Sequence, residues 1–559
     1  MRFGLWLGVM VGLVFAASPA GAQSSQNWQW CVNKDNRYSL DLAINGCTAI
    51  IQGGRETQRN LAIAFYDRGN AYEDKHDDEH AIADFTRAIQ LNPRYADAFN
   101  NRGNAYRHMR DYDRALADFN EAIRLNARDP VPFNNRGLVY EDLKDYDRAI
   151  GDYNEAIRLN PRYVLALNNR GNVYVAKKGY DLAIADFTEA IRLNPSYAPA
   201  YNDRGIAYDD KGEYDRAITD YTEAIRLDPT DPFPYNNRGN VYEAKRDYDH
   251  AISDYSEAIR LDPSYAVALV NRGAAYKAKG DYDRAIADYD EAIHIDPTYV
   301  RAFNNRGLAY RAKKDDDRAI GNYDEAIRLD PTYAVAYSNR GYAYEDKKDY
   351  DHAIADFTKL IELKPNDAGA YNSRCWARAL AGQLGAALTD CDESLRLRPD
   401  DANTLDSRAL AYLKLGRFDE AIADYNAALQ VEPQLASSLF GRGVAKLRKG
   451  DTDGGNADIA AAKAIQADVA DDFASYGITL AGEPASGAPQ PQAPATPQPQ
   501  ATPQSPATPP PAAPEPPAVP LPPAAPQSPP ATPPAAAPQP PEPPPATPGV
   551  GTGAPSGKP

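Results

Sequence analysis

Residues 198–231 read APAYNDRGIAYDDKGEYDRAITDYTEAIRLDPTD. Tyr201, Gly205 and Tyr208, then Ala217, Tyr221 and Ala224, recur at three- and four-residue steps, the spacing of one face of an amphipathic helix. Asp210-Lys211-Gly212 interrupts the pattern between the two runs. Pro229 stops the second run, because proline cannot continue a helix, and Asp231-Pro232 restarts the chain with an N-cap acid and a proline at the first helical position. The stretch therefore predicts two helices joined by a tight turn.

Outward from this unit the pattern repeats. Gly69, Gly103, Gly137, Gly171, Gly205, Gly239, Gly273, Gly307 and Gly341 lie 34 residues apart without an insertion, and the count continues through Cys375, Ala409 and Gly443, all small. With this residue at position 8, twelve units run from 62–95 to 436–469. An aromatic at position 4, a small residue at 8, Tyr at 11, Ala at 20, an aromatic at 24, Ala at 27 and Pro at 32 resemble the consensus of the tetratricopeptide-repeat (TPR) family. The resemblance covers 62–469. It implies an all-α fold, a right-handed superhelical solenoid of twelve helix-turn-helix repeats whose first helices line an inner groove. Glycine inside a helix costs about 1 kcal/mol against alanine, so its recurrence at position 8 predicts that the two helices touch there.

One departure from the family is systematic. Position 7, usually leucine, is arginine in all twelve units, from Arg68 and Arg102 to Arg442, and position 23 is aspartate in eleven, with Asn322 the exception. A planar guanidinium suits a bidentate carboxylate pair at a partly buried site, which predicts a structural ion pair fixing the hairpin; the alternative is a ladder of ligand-binding arginines.

The ends carry their own signals. Phe3 to Ala17 is apolar and Ala20-Gly21-Ala22 has the small-x-small form of a signal-peptidase site, so residues 1–22 are expected to be a signal peptide cleaved after Ala22, placing the mature protein in the periplasm or outside the cell. No second apolar run is long enough for a membrane span. Residues 23–61 align as a degenerate N-terminal TPR-like cap with Cys31 at position 8, Cys47 at position 24, Trp30 at position 7 and Gly46 at position 23. Cys375 and Cys391 hold the same two slots in repeat 10. Two pairs on one pair of facing positions predict disulfides Cys31–Cys47 and Cys375–Cys391, against the alternative of four buried thiols. Residues 470–482 are expected to form a C-terminal capping helix. From 483 to 559 the chain turns to Pro and Ala and carries 31 of the 47 prolines, which predicts a disordered, polyproline-II-biased spacer.

Function is read from what is missing and from the groove. The six histidines are scattered, and there is no metal-binding, phosphate-loop or nucleophile motif, so neither a cofactor nor catalysis is expected. A formal net charge of -17 argues against nucleic acid as a partner. The family resemblance places ligand contacts at positions 2, 5, 6, 9, 12 and 13. Positions 5 and 6 are rich in amides: Asn100, Asn101, Asn134, Asn135, Asn168, Asn169, Asn236, Asn237, Asn304 and Asn305. A side-chain amide offers donor and acceptor together and can pair with an extended peptide backbone of any sequence; the alternative is that these residues mark the polar start of each first helix. Repeats 1 to 6 are otherwise polar at the groove, as at Asp67, Asn70, Glu73, Asn104, Asn172 and Asp209. Repeats 10 to 12 present Trp376, Leu380, Leu410, Leu413, Phe440, Val444 and Leu447, read either as an apolar contact patch or as covered core. The expected function is an exported, non-catalytic protein-interaction scaffold holding a protein or peptide segment in the groove. The alternative is glycan binding, as in cell-envelope or exopolysaccharide assembly.

Overall fold

The structure, a computed structural model, describes residues 19–480. The signal-like residues 1–18 and the proline-rich segment 483–559 lie outside the described residues. The chain divides into one unit ending at Val469 and a second beginning at Ala470.

The first unit is a stack of helical hairpins, and among the described residues there is no strand. Repeat 5 consists of helices Ala198–Asp210 and Tyr214–Leu227. The other repeats place their helices at the same positions, except that the first helix of repeat 1 starts early, at Gln58. Two residues make the turn. Position 15 is left-handed in every repeat, at φ 60° in Lys144 and Lys178 and 75° in Gly212. That conformation folds the chain back, so that the next amide closes the helix end: Asp145 N donates to Tyr140 O at 2.7 Å. Asp145 then caps the second helix by accepting from Arg148 N.

Inside each hairpin the position 24 ring lies flat against the position 8 glycine. A β-carbon added at Gly205 would sit 2.7 Å from the Tyr221 ring, and one at Gly273 2.6 Å from the Tyr289 ring. This close approach is why the sequence tolerates a glycine in mid-helix. Where the glycine and the ring are both replaced, by Cys375 with Cys391 and by Cys31 with Cys47, a disulfide joins the same two helices.

Position 7 arginine joins three helices at once. Arg204 donates from Nε and Nη2 to both oxygens of Asp220 at 2.7 and 2.8 Å, and from Nη1 to Thr188 Oγ1 of the preceding repeat at 3.0 Å. The fork closes the hairpin, and the third bond docks it on its neighbour. The same node recurs from Arg68 to Arg442. At Arg306, where Asn322 supplies no charge, the previous repeat's Asp290 receives Nη1 at 2.5 Å. The degenerate hairpin, Pro19–Val32 with Leu40–Gln52, has Trp30 in place of the position 7 arginine but presents Thr48 to Arg68 in the same way. There Gly46 lets the two helices approach closely, since a β-carbon added to it would sit 2.7 Å from Asn27 O and from Trp30 Cβ.

First helices of successive hairpins touch one another at nearly every step, whereas second helices make no comparable contact with theirs. The first helices therefore form the inner side of the stack. In the second unit the described residues run from Ala470 to Leu480; the helix Val469–Ser475 is shorter than expected, and the rings of Phe473 and Tyr476 lie 5.7 Å apart.

Candidate functional site

On the inner side, the position 5 and 6 amides bond mainly to each other. Asn100, Asn134, Asn168, Asn236 and Asn304 are buried. Asn135 Nδ2 donates to Asn100 Oδ1 of the repeat before it at 3.1 Å, Asn169 to Asn134 at 3.0 Å and Asn339 to Asn304 at 2.8 Å. Position 5 donates in turn to position 6 of its own repeat, as Asn100 does to Asn101 and Asn236 to Asn237. Asn101 spends its amide on Asn70 and Tyr66. The result is a ladder that links successive repeats, interrupted where Val270 holds position 5 of repeat 7 and offers Asn305 no acceptor. Asn135, Asn169, Asn237 and Asn305 stay half-exposed, and an amide carries two hydrogens, so these rungs keep capacity for a ligand.

The ladder reverses once. Position 6 of repeat 5 is Asp203, which has no hydrogen to give, so Asn168 turns its Nδ2 toward Asp203 Oδ2 at 2.8 Å and leaves its own Oδ1 buried and without a donor. Asp67 holds the same position in repeat 1; its Oδ2 is likewise without a donor, and burial pushes its pKa up to about 7.

Position 12 adds carboxylates. Glu73, Glu141, Asp209, Glu243 and Glu345 all have raised pKa values because burial disfavours their charge, Glu73 to about 7, Asp209 to about 6 and Glu345 to about 8. The position 24 ring of the hairpin differs among the four glutamates. In repeats 3 and 6 it is tyrosine: Tyr153 donates its hydroxyl to Glu141 at 2.9 Å, and the Tyr255 hydroxyl lies 3.0 Å from Glu243. In repeats 1 and 9 it is Phe85 and Phe357, which offer no hydrogen, and Glu345 Oε1 has no partner. Arg107 and Arg311, at position 12 of repeats 2 and 8, are committed to Asp142 and Asp346 of the following repeats.

Repeats 10 to 12 differ. Leu410, Leu413, Phe440 and Val444 are at most 2% exposed, while Trp376, Leu380 and Leu447 are half-buried. The local cause is a displaced ring. Ala409 fills the slot that glycine leaves open elsewhere, and the Tyr425 ring packs instead on Gly441 at position 6 of repeat 12. The first helices Ala368–Leu380, Ala402–Lys414 and Ala436–Arg448 then press together more closely than earlier ones, with Ser438 Oγ donating to Asp406 Oδ1 at 2.5 Å. An open apolar patch built on those four residues is thus not what the structure presents.

The sequence reading singles out Asp67, Glu73 and Asp209 but not Glu141, Asp203, Glu243 or Glu345. The signal that finds them is an acid at position 12, or at position 6 where asparagine is the rule. Among the described residues no cluster of His, Cys, Asp and Glu is placed to hold a metal ion, and no helix is long and apolar enough to cross a membrane.

Family models agree with the repeat. One described as TPR repeat matches 69–109, 171–209, 207–245, 275–314, 307–348 and 409–450, and two described as Tetratricopeptide repeat match 96–129, 130–163, 232–265 and 334–367, and 255–287. No curated protein matches the chain. Among solved structures, the Cut9–Hcn1 hetero-tetramer of APC/C is 16% identical over 76% of this chain and 96% of its own, with a TM-score of 0.39. A tetratricopeptide repeat protein from Parabacteroides merdae ATCC 43184 is 22% identical over 44% of this chain and 98% of its own, with a TM-score of 0.37. YrrB, described as a TPR protein with an unusual peptide-binding site, is 26% identical over 35% of this chain and 97% of its own, with a TM-score of 0.29.

Proposed function

Because the chain belongs to the tetratricopeptide-repeat family, we propose that it is a protein-interaction scaffold, exported and non-catalytic, which holds an extended segment of a partner protein along the inner face of repeats 1 to 9. The observation that carries this reading is the half-exposed row of position 6 amides, which recurs at the spacing of the repeat and keeps unspent hydrogen-bonding capacity. An extended backbone can follow such a row with little dependence on its own side chains. Export is supported by the signal-like residues 1–22 and by two disulfides, which persist in oxidising compartments. Trp376, Leu380 and Leu447, half-buried at the far end of the same face, are secondary contact candidates.

The test is cross-linking in a bacterial envelope extract with a photoreactive group at position 135, 237 or 305, followed by identification of the captured segment. Labelling of one extended segment from all three positions supports the reading. Capture only from control groups at positions 181 and 215 on the outward-facing second helices, or selective binding on a glycan array with no captured protein, overturns it.

A further inference from the structure

We propose that the inner face of repeats 3 to 6 takes a basic segment, seating lysine or arginine side chains among Glu141, Asp203, Asp209 and Glu243. This rests on the reading of the inner face as a peptide groove and adds the chemical class of the peptide.

Glu141, Asp209 and Glu243 hold position 12 of repeats 3, 5 and 6 and Asp203 holds position 6 of repeat 5, all on first helices, and Asn168 of repeat 4 bridges to Asp203 at 2.8 Å. Among the described residues none of the four has an ion-pair partner; the cation nearest Glu141, Arg107, is already bonded to Asp142. The series ends where Lys277 and Arg301 come within reach of Glu243, which sets a basic border at repeats 7 and 8.

A second observation is independent of charge. Asn168, only 4% exposed, has its amide turned by Asp203, and its Oδ1 is left without a donor in the middle of the series. Outside repeats 3 to 6 the unpartnered buried atoms are of both kinds, acceptors such as Asp67 Oδ2 and Glu345 Oε1 and donors such as Arg378 Nε and the Tyr289 hydroxyl, whereas within these repeats Asn168 Oδ1 stands among carboxylates. Buried polar atoms are nearly always satisfied, so an open acceptor set among four unpaired carboxylates calls for a ligand that brings N–H groups. Ammonium and guanidinium groups supply those hydrogens together with the charge that desolvated carboxylates lack. Burial raises the pKa of all four carboxylates, and the cations that face them, Arg107 toward Glu141 and Lys277 and Arg301 toward Glu243, offset this only in part.

The experiment is fluorescence anisotropy with labelled peptides of alternating lysine and glycine, glutamine and glycine, or glutamate and glycine, titrated with the full chain at about 150 mM salt. The groove variant combines Asp203→Asn, Asp209→Asn and Glu243→Gln. Asp203→Asn gives Asn168 Oδ1 the donor present in neighbouring repeats, so this variant is expected to fold, and circular dichroism checks it. The control combines Asp181→Asn and Asp215→Asn on second helices, where the side chains are 88% and 90% exposed. The expected result is a lysine peptide bound roughly tenfold or more tightly than the glutamine one, with that preference lost in the groove variant and kept in the control. Equal binding of lysine and glutamine peptides, unaffected by the groove variant, overturns the inference and leaves the groove reading standing. Loss in both variants marks diffuse attraction to an acidic protein and overturns it. Binding of no peptide overturns both.

Discussion

Glu141 and Glu345 occupy the same position in their repeats, and one oxygen atom separates their fates. Tyr153 beneath Glu141 donates a hydroxyl hydrogen; Phe357 beneath Glu345 cannot, and burial holds that carboxyl protonated up to about pH 8. A carboxyl whose folded pKa exceeds its unfolded one binds protons more tightly in the native state, so its contribution to stability is present at low pH and is lost as pH rises from about 4.5 to about 8. Glu345→Gln is therefore expected to raise the melting temperature at pH 8.5 and to leave it nearly unchanged at pH 4, as read by thermal circular dichroism. Phe357→Tyr copies the arrangement of repeats 3 and 6 and is expected to stabilise by about 1 kcal/mol at pH 7.5; a loss of stability there would mean that the new hydroxyl does not reach Glu345. The arginine node is the second residue-scale case. Arg204→Leu leaves Asp220 buried without its fork and is expected to cost about 3 kcal/mol in urea unfolding, whereas adding Asp220→Leu recovers much of it. A double variant no better than the sum of the singles would break the pairing argument. The Arg–Asp half of this node was legible, because both residues recur in register. Its third arm was hidden, since Thr, Asn, Ser and Asp alternate at position 25 and only the structure shows that each accepts from Nη1 of the next repeat's arginine.

At the scale of the hairpin, sequence and structure agree where a backbone rule is strict and part where a rotamer decides. Glycine at position 8 announces a close helix contact, and the rings lie there. The turn was legible as a break, yet its left-handed residue was not, because lysine or arginine occupies position 15 in half of the repeats instead of glycine. Lysine in that conformation is strained, so Lys144→Gly is expected to stabilise repeat 3 by about 1 kcal/mol without changing helicity, measured by chemical denaturation. The cysteine pairs were legible from their shared slots. Reduction is expected to weaken repeat 10 by about 3 kcal/mol, seen as faster amide exchange in helices Ala368–Leu380 and Leu384–Leu397 before any change in repeats 4 to 7. The apolar series of repeats 10 to 12 was the misleading element, since groove position alone does not tell whether neighbouring first helices have closed over a side chain. Ala409 in place of glycine was the available clue, because it evicts the Tyr425 ring into the adjoining repeat.

For the stack as a whole, each hairpin is held by its neighbours through the arginine arm, the amide rungs and lysine–aspartate bridges such as Lys211 to Asp181 and Lys245 to Asp215. A chain ending near residue 482 is expected to keep the helical signal and melting behaviour of the full protein, because the segment beyond has no apolar periodicity to bury; a large loss of ellipticity would show that the segment packs on the repeats. The twelve-fold periodicity was legible throughout, while the polarity of its inner face was only partly so: acid against amide at positions 6 and 12 reads as noise in one sequence. The arginine node has a mechanical side as well. Drawn out by its two ends, such an array is a series of nearly equal links, each held by one fork and one arm, and should yield in even steps of about 115 Å as successive repeats unravel. Repeat 10 is the odd link among the twelve. Its disulfide keeps the loop from Cys375 to Cys391 out of the extensible contour, as Cys31–Cys47 does in the N-terminal hairpin, so two steps in the sawtooth should be roughly half length, and adding reductant should restore both.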